Sequence, residues 1–138
     1  MFLEIERRQR RKDAMADLAM ALDRFSAVIS RWPKSDFAAR SQFHKGVTLE
    51  LMENYKDACE EYVKMTYTYP DSPLVADATV RLGLYFYKHE RRYDIAGHIF
   101  YNFATRKPDH EKSDKVLFMA AQSYMKGAEE DAVVKLAA

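Results

Sequence analysis

Tyr69-Pro70-Asp71-Ser72-Pro73 is the stretch on which the reading of this 138-residue chain turns. A proline pushes the residue before it out of the α region, so Tyr69-Pro70 closes a helix. Asp71 and Ser72 followed by Pro73 read as a cap with proline in the first turn, the favoured order for opening the next helix. The same aromatic-proline phrase stands earlier at Trp32-Pro33, and a weaker copy stands later at Lys107-Pro108; the steps between the prolines are 37 and 38 residues. Between them the landmarks recur in order: Gly46 and Gly83 are 37 apart, while Ala58 and Ala96, Tyr62 and Phe100, and Met65 and Phe103 are each 38 apart. Self-similarity at a fixed period of about 20–50 residues marks a repeat architecture, in which each unit buries its apolar face against its neighbours. Such a chain is expected to bind a partner rather than transform a substrate.

Working outward from that stretch, the apolar periodicity predicts an all-α chain. Met15, Leu18, Leu22, Phe25, Ile29 and Trp32 follow one another at steps of three and four and mark one face of a first helix, with Asp13 as its cap and Pro33 as its stop. Ser35 or Asp36 caps a second helix carrying Ala39, Phe43, Gly46, Val47 and Leu51, closed by Asn54. A third, over about residues 56–69, presents Ala58, Cys59, Tyr62, Met65 and Tyr69. The fourth opens at Asp71-Ser72-Pro73 and runs to about His89 with Val75, Ala78, Val80, Leu82, Gly83 and Phe86. A fifth carries Tyr93, Ala96, Ile99, Phe100 and Phe103, and a sixth, from about Lys112 to Lys126, carries Val116, Met119, Ala120 and Tyr124. Gly127 reads as the residue just past that sixth helix, leaving residues 128–138 as the start of a seventh.

Composition excludes several classes. Apolar residues make up 48% and charged residues 31% of the chain, too apolar for a disordered polypeptide and too charged for a membrane one. A formal net charge of +1 creates no global field to recruit nucleic acid or anionic lipid. The single cysteine, Cys59, can form no internal disulfide. No run reaches the roughly 18 apolar residues of a spanning helix. Residues 1–13 lack the apolar stretch of a signal peptide, so the expectation is a cytoplasmic protein unless a targeting segment is missing.

Lys45-Gly46-Val47-Thr48-Leu49 with Ala58, Tyr62 and Pro70, then Leu82-Gly83-Leu84-Tyr85-Phe86 with Ala96, Phe100 and Pro108, resemble the tetratricopeptide repeat, a pair of antiparallel helices. A third copy, Ala120-Ala121-Gln122-Ser123-Tyr124, lacks its second half. The period is longer than the family's usual 34 or so residues. The linker Tyr69-Pro70-Asp71-Ser72-Pro73-Leu74-Val75-Ala76-Asp77-Ala78 looks like that of bacterial cell-envelope repeat proteins of the Tol-Pal-associated and outer-membrane assembly lipoprotein types, although the lipoprotein cysteine of the latter has no counterpart here. The resemblance implies a right-handed α-solenoid of about two and a half repeats over residues 14–138, the last incomplete, preceded by a basic helical extension over residues 1–13. It also favours a periplasmic or envelope location.

In that family the first helix of each pair lines a concave groove. Counted from the glycine position, the groove-facing places fall on Arg40, Phe43 and Val47 in one unit, Val80, Arg81, Leu84 and Tyr87 in the next, and Lys115, Phe118 and Met125 in the third. Chaperone-binding members hold a peptide's terminal carboxylate with Lys and Asn at such places. Here Phe43, Val47, Val80, Leu84, Phe118 and Gln122 stand there instead, so that clamp is absent. An apolar strip with Arg40, Arg81, Lys115 and Lys126 at its margins suits an amphipathic helix or an extended apolar peptide. The expected function is therefore a non-catalytic protein-interaction scaffold.

The alternative is self-assembly through the N-terminal helix, whose tip is Phe2, Leu3 and Ile5, and through the unfinished unit over residues 112–138. Arg7, Arg8, Arg10, Arg11 and Lys12 form a cationic run without interleaved aromatics, which reads as a solvated helical extension rather than a nucleic-acid module. The histidines, at 44, 89, 98 and 110, stand in no i,i+3 or i,i+4 ligand pair. Asp57, Glu60 and Glu61 cluster on what reads as a solvent face opposite Ala58 and Tyr62. No phosphate loop, serine-nucleophile motif, cofactor site or metal site is expected.

Overall fold

The computed structural model describes residues 1–137, and the side chains of residues 1–132; Ala138 lies outside the described residues. Six helices follow one another: α1 (Phe2–Arg31), α2 (Asp36–Leu51), α3 (Tyr55–Thr68), α4 (Val75–Lys88), α5 (Tyr93–Arg106) and α6 (Ser113–Ala137). No strand occurs among the described residues. Two compact units divide the chain, Met1–Leu74 and a second from Val75 onward. In the first, α1 packs on α2 and α2 on α3; in the second, α4 packs on α5 and α5 on α6.

The repeat seen in the sequence is present in the backbone. α1, α3 and α5 are each capped at the C-terminus by the residue before a proline, and those residues share one conformation: φ −134°, ψ 63° at Trp32, φ −130°, ψ 56° at Tyr69 and φ −128°, ψ 62° at Lys107. Each donates its N–H to the carbonyl four residues back, on Val28, Met65 and Phe103. The proline then forms a tight turn three times over, closed by Ser35 N–H to Trp32 O at 3.1 Å, Ser72 N–H to Tyr69 O at 3.1 Å and His110 N–H to Lys107 O at 3.2 Å. Proline suits the second position of such a turn because its ring presets φ and it need not donate. The weakest copy in sequence, Lys107-Pro108, thus has the same geometry as the other two.

Side-chain packing repeats as well. A Cβ on Gly46 would overlap the ring of Tyr62, and one on Gly83 would overlap the ring of Phe100. Each aromatic ring of a hairpin's second helix therefore lies directly on the first helix's backbone. Tyr62 and Phe100 are both 1% exposed, with Ala58 and Ala96 filling the crossing beside them and Met65 and Phe103 buried one turn on. Tyr62 also donates its hydroxyl to Glu50 Oε1 at 2.5 Å, which gives the buried ring a polar outlet.

The difference between 37 and 38 residues sits in one place. Met52–Asn54 join α2 to α3 with three residues, whereas His89–Arg92 join α4 to α5 with four. Both turns reverse through one residue of positive φ, Glu53 at 61° and Arg91 at 52°. Neither is glycine, so each holds a conformation that costs an L-residue roughly 1–2 kcal/mol.

Several expected boundaries are corrected. Asp13 does not cap a helix: α1 runs unbroken from Phe2, and Asp13 accepts from Gln9 Nε2 at 3.0 Å within it. Ser35 is the cap of α2, its Oγ accepting from Ala38 N–H at 3.1 Å, while Asn54 belongs to the start of α3 rather than the end of α2. Pro73 lies in the turn before α4, where Ser72 Oγ accepts from Leu74 N–H at 3.3 Å, and the helix begins at Val75. Gly127 lies inside α6, which continues to Ala137, so residues 128–137 extend the sixth helix and start no seventh.

Two outcomes test this packing. Gly46→Ala and Gly83→Ala should each destabilise the chain by about 1–3 kcal/mol through overpacking, although alanine favours a helix by about 1 kcal/mol. Glu53→Gly and Arg91→Gly should act the other way, each raising stability by up to about 1 kcal/mol in urea unfolding as the left-handed residue loses its penalty.

Candidate functional site

The groove places fall unevenly. On α2, Arg40 is exposed, with its guanidinium 5.4 Å from the centre of the Phe37 ring, and Val47 is half-buried. Phe43 is not available to a partner. It is buried, with its ring 6.0 Å from that of Tyr62 and edge-on to His44 at 5.4 Å. It belongs to the core between α2 and α3.

In the second unit the expected residues do reach solvent. α4 presents Val80, Arg81, Leu84 and Tyr87 half-buried, and the Tyr87 ring meets Tyr93 edge-on at 4.9 Å. α6 presents Lys115, Phe118 and Met125 fully exposed, Phe118 at 62% and Met125 at 59%. Lys115, Phe118, Gln122 and Met125 follow at steps of three, four and three and share one face of α6. α6 is fastened to α4 at its start, where Lys112 Nζ meets Asp77 Oδ1 at 2.5 Å. That contact raises the Lys112 ammonium above its ordinary value, chiefly through the Asp77 hydrogen bond.

Glu61 departs most from its expected place. Far from facing solvent, its carboxylate is buried between α2 and α3, where it accepts from Gln42 Nε2 at 2.5 Å and pairs with Lys45 at 3.5 Å and Lys64 at 3.4 Å. Gln42 Nε2 also donates to the Glu61 backbone carbonyl at 2.9 Å. A buried carboxylate held by an amide and two ammonium groups is a structural tie. Its companions Asp57 and Glu60 are exposed.

Other polar groups are likewise engaged. Tyr124 stands on α6 with its hydroxyl 2.9 Å from His98 Nδ1, and its ring lies over Gly97, where a Cβ would be 2.7 Å from Cε1. Burial raises the Tyr124 phenol above its ordinary value, with Tyr101 adding to the effect. On the first unit, an open cleft of about 770 Å³ lies between the start of α2 and the proline turn after α3, lined by Lys34, Asp36, Arg40, Tyr69, Asp71 and Ser72 among others. Sequence reading missed it because its walls are two loops 37 residues apart. Its charges are mixed, and the Tyr69 hydroxyl is spent on Pro33 O at 2.9 Å.

Among the described residues no group of three His, Cys, Asp or Glu stands close enough to hold a metal ion. None of their helices is long and apolar enough to cross a membrane. No protein-family model, curated protein or solved structure matches the chain.

The Asp77–Lys112 pair gives a pH test with a definite sign. Because Asp77 raises Lys112 above 10.5, the pair's contribution is present below that value and lost as pH rises through the folded one. Both partners are more than a third exposed, so solvent screening limits the contribution to a few tenths of a kcal/mol. Asp77→Asn should lower stability by that amount at neutral pH, and its gap from the parent chain should close as urea titrations are carried past pH 10.5.

Proposed function

We propose that the chain is a non-catalytic protein-interaction module, a right-handed solenoid of the tetratricopeptide type whose concave side holds an apolar or amphipathic peptide or helix. The observation that carries this reading is the outer face of α6, where Phe118 and Met125 stand 62% and 59% exposed beside Lys115. Large apolar side chains held clear of the core on one rigid helical face are the usual material of a recognition surface. Val80, Leu84 and Tyr87 on α4 extend the apolar set within the same unit, and Arg81 and Lys115 supply charge at its edge.

Aromatic and methionine anchors suit this role because they offer area without demanding one partner geometry. The rigid hairpins beneath them, built on Gly83 and Phe100, keep the loss of freedom on binding small.

Selection from a displayed library of amphipathic helical peptides, followed by titration against the purified chain, tests the proposal. Phe118→Ala and Met125→Ala should each weaken binding of the selected peptides by about 1–2 kcal/mol while leaving the helical signal and melting point unchanged. Selected peptides that bind the double variant as tightly as the parent would place recognition elsewhere.

A further inference from the structure

Each of the three proline turns puts one residue, two places after its proline, just ahead of the next helix: Ser35, Ser72 and His110. In all three that side chain accepts a hydrogen bond from a backbone N–H slightly further along. Ser35 Oγ accepts from Ala38 at 3.1 Å, Ser72 Oγ from Leu74 at 3.3 Å and His110 Nδ1 from Lys112 at 3.0 Å. N–H groups at a helix start have no acceptor within the helix, so a side chain that supplies one fastens the chain there. The third turn does with an imidazole what the first two do with a hydroxyl.

That exchange changes what the turn responds to. A backbone N–H can only donate, so the nitrogen it meets must carry a lone pair, and His110 is therefore the neutral ring with its proton on Nε2. A serine hydroxyl accepts at any pH. An imidazole takes up a proton between about pH 8 and 5, and both of its nitrogens then donate. With a proton on Nδ1, the ring and the Lys112 N–H point donors at one another, and the ring must leave its place. His44 and His98 carry no such conflict. His44 Nδ1 lies 2.7 Å from the Arg40 carbonyl, to which it donates whether the ring is neutral or charged, and His98 Nδ1 faces the Tyr124 hydroxyl at 2.9 Å, which accepts as well as donates.

The neutral ring is held in place from several sides. It is half-buried and stands edge-on to the buried Phe103 of α5 at 5.5 Å. The His110 N–H donates to Lys107 O at 3.2 Å, its carbonyl accepts from Ser113 N–H at 3.0 Å, and the Ser113 hydroxyl donates to Lys107 O. Charged neighbours come from three elements. On its own segment Asp109, Glu111 and Lys112 flank it, and Asp114 follows in the first turn of α6. The end of α5 adds Arg106 and Lys107, the latter with its ammonium 5.9 Å from the centre of the same Phe103 ring. Asp77 of α4 approaches through Lys112, whose Nζ it holds. The carboxylates favour a charged ring and the cations oppose it, but neither set restores the acceptor that the Lys112 N–H loses.

We propose that His110 is a pH-sensitive latch on the start of α6, closed while its ring is neutral and opened by protonation of Nδ1. The closed latch fixes Lys112, whose side chain ties the start of α6 to Asp77 on α4, so opening it loosens that tie as well. Ser35 and Ser72 keep their bonds throughout. The effect is graded, since one hydrogen bond and one ring contact are given up while Val116, Ala120 and Ser123 stay buried against α5. Its sign is opposite to that of the Asp77–Lys112 pair: the latch contributes while the ring is neutral and is lost as pH falls, whereas the pair is lost as pH rises. α6 carries Phe118 and Met125, so the latch bears on how firmly that face is presented, but it operates whether or not the face binds a partner.

Amide hydrogen exchange read by NMR on the full chain, at about pH 7.5 and about pH 5, tests the proposal. Corrected for the intrinsic pH dependence of exchange, protection of the Lys112 amide should fall by about fivefold between the two, the factor expected for one hydrogen bond, while that of the Ala38 and Leu74 amides should not change. Ring nitrogen shifts should report the Nε2–H tautomer of His110 at the higher pH. His110→Ser, which installs the residue of the other two turns, should remove the pH dependence at Lys112, and in urea the parent's unfolding constant should rise about fivefold more than the variant's over the same interval. His110→Asn, whose carboxamide oxygen accepts at any pH, takes its place should the serine variant fail to fold. Lys112 protection that is the same at both pH values, a folded variant that keeps the parent's pH response, or a proton on His110 Nδ1 at the higher pH would each overturn the proposal.

Discussion

Each hairpin depends on one close approach, an aromatic ring laid on a helix position that has no Cβ. Tyr62 over Gly46 and Phe100 over Gly83 bring two helices nearer than side chains on both would allow. Burial of a ring of this size stabilises by several kcal/mol, and replacing it with alanine would cost about 3–5. The glycine itself costs a helix roughly 1 kcal/mol, so the ring more than offsets the weakness of the site that receives it. Neither residue makes sense alone. A glycine in mid-helix is a defect until the ring arrives, and a ring of this volume has no seat without the glycine.

The prolines mark the outer ends of the hairpins in which those two residues meet. In each hairpin the ring stands eight residues before one proline and the glycine thirteen after the previous one, and the proline turn's closing hydrogen bond recurs at 3.1, 3.1 and 3.2 Å. The joins inside the hairpins differ in length by one residue. Glu53 and Arg91 absorb the reversal through positive φ in both cases, so the extra residue of the second join is accommodated without disturbing the ring contact. Local strain at one exposed position is small beside the cost of moving a buried ring by a turn.

What could be read from the sequence follows from this division. Glycine, alanine, aromatic and proline landmarks are local and periodic, so the helices, the pairing and the core residues Ala58, Tyr62, Met65, Ala96, Phe100 and Phe103 were legible. Glu61 was not, because its partners Gln42 and Lys45 lie 19 and 16 residues away, and nothing in the local pattern shows that an amide and an ammonium will face it. Phe43 sits on the flank of the α2 stripe, where a rotation of part of a turn separates groove from core. Gly127 was misread for a related reason. It has the look of a helix terminator, yet a Cβ there would lie 3.4 Å from Tyr93 Cβ, so the residue marks close packing against α5 inside a continuing helix. The exposed surface residues, chosen from a resemblance and a count along the helix, were legible only in placement, since a helical count gives a side chain's direction and not its use.

The same periodicity that packs α6 also divides its surface into separate stripes. Ser113, Val116, Ala120 and Ser123 are buried, as expected for the face against α5. Leu117 and Ala121 are turned 100° from Val116 and Ala120, and Lys115, Phe118, Gln122 and Met125 occupy the remaining arc. Only Tyr124 bridges two stripes, its ring reaching back over Gly97 while its edge stays in solvent.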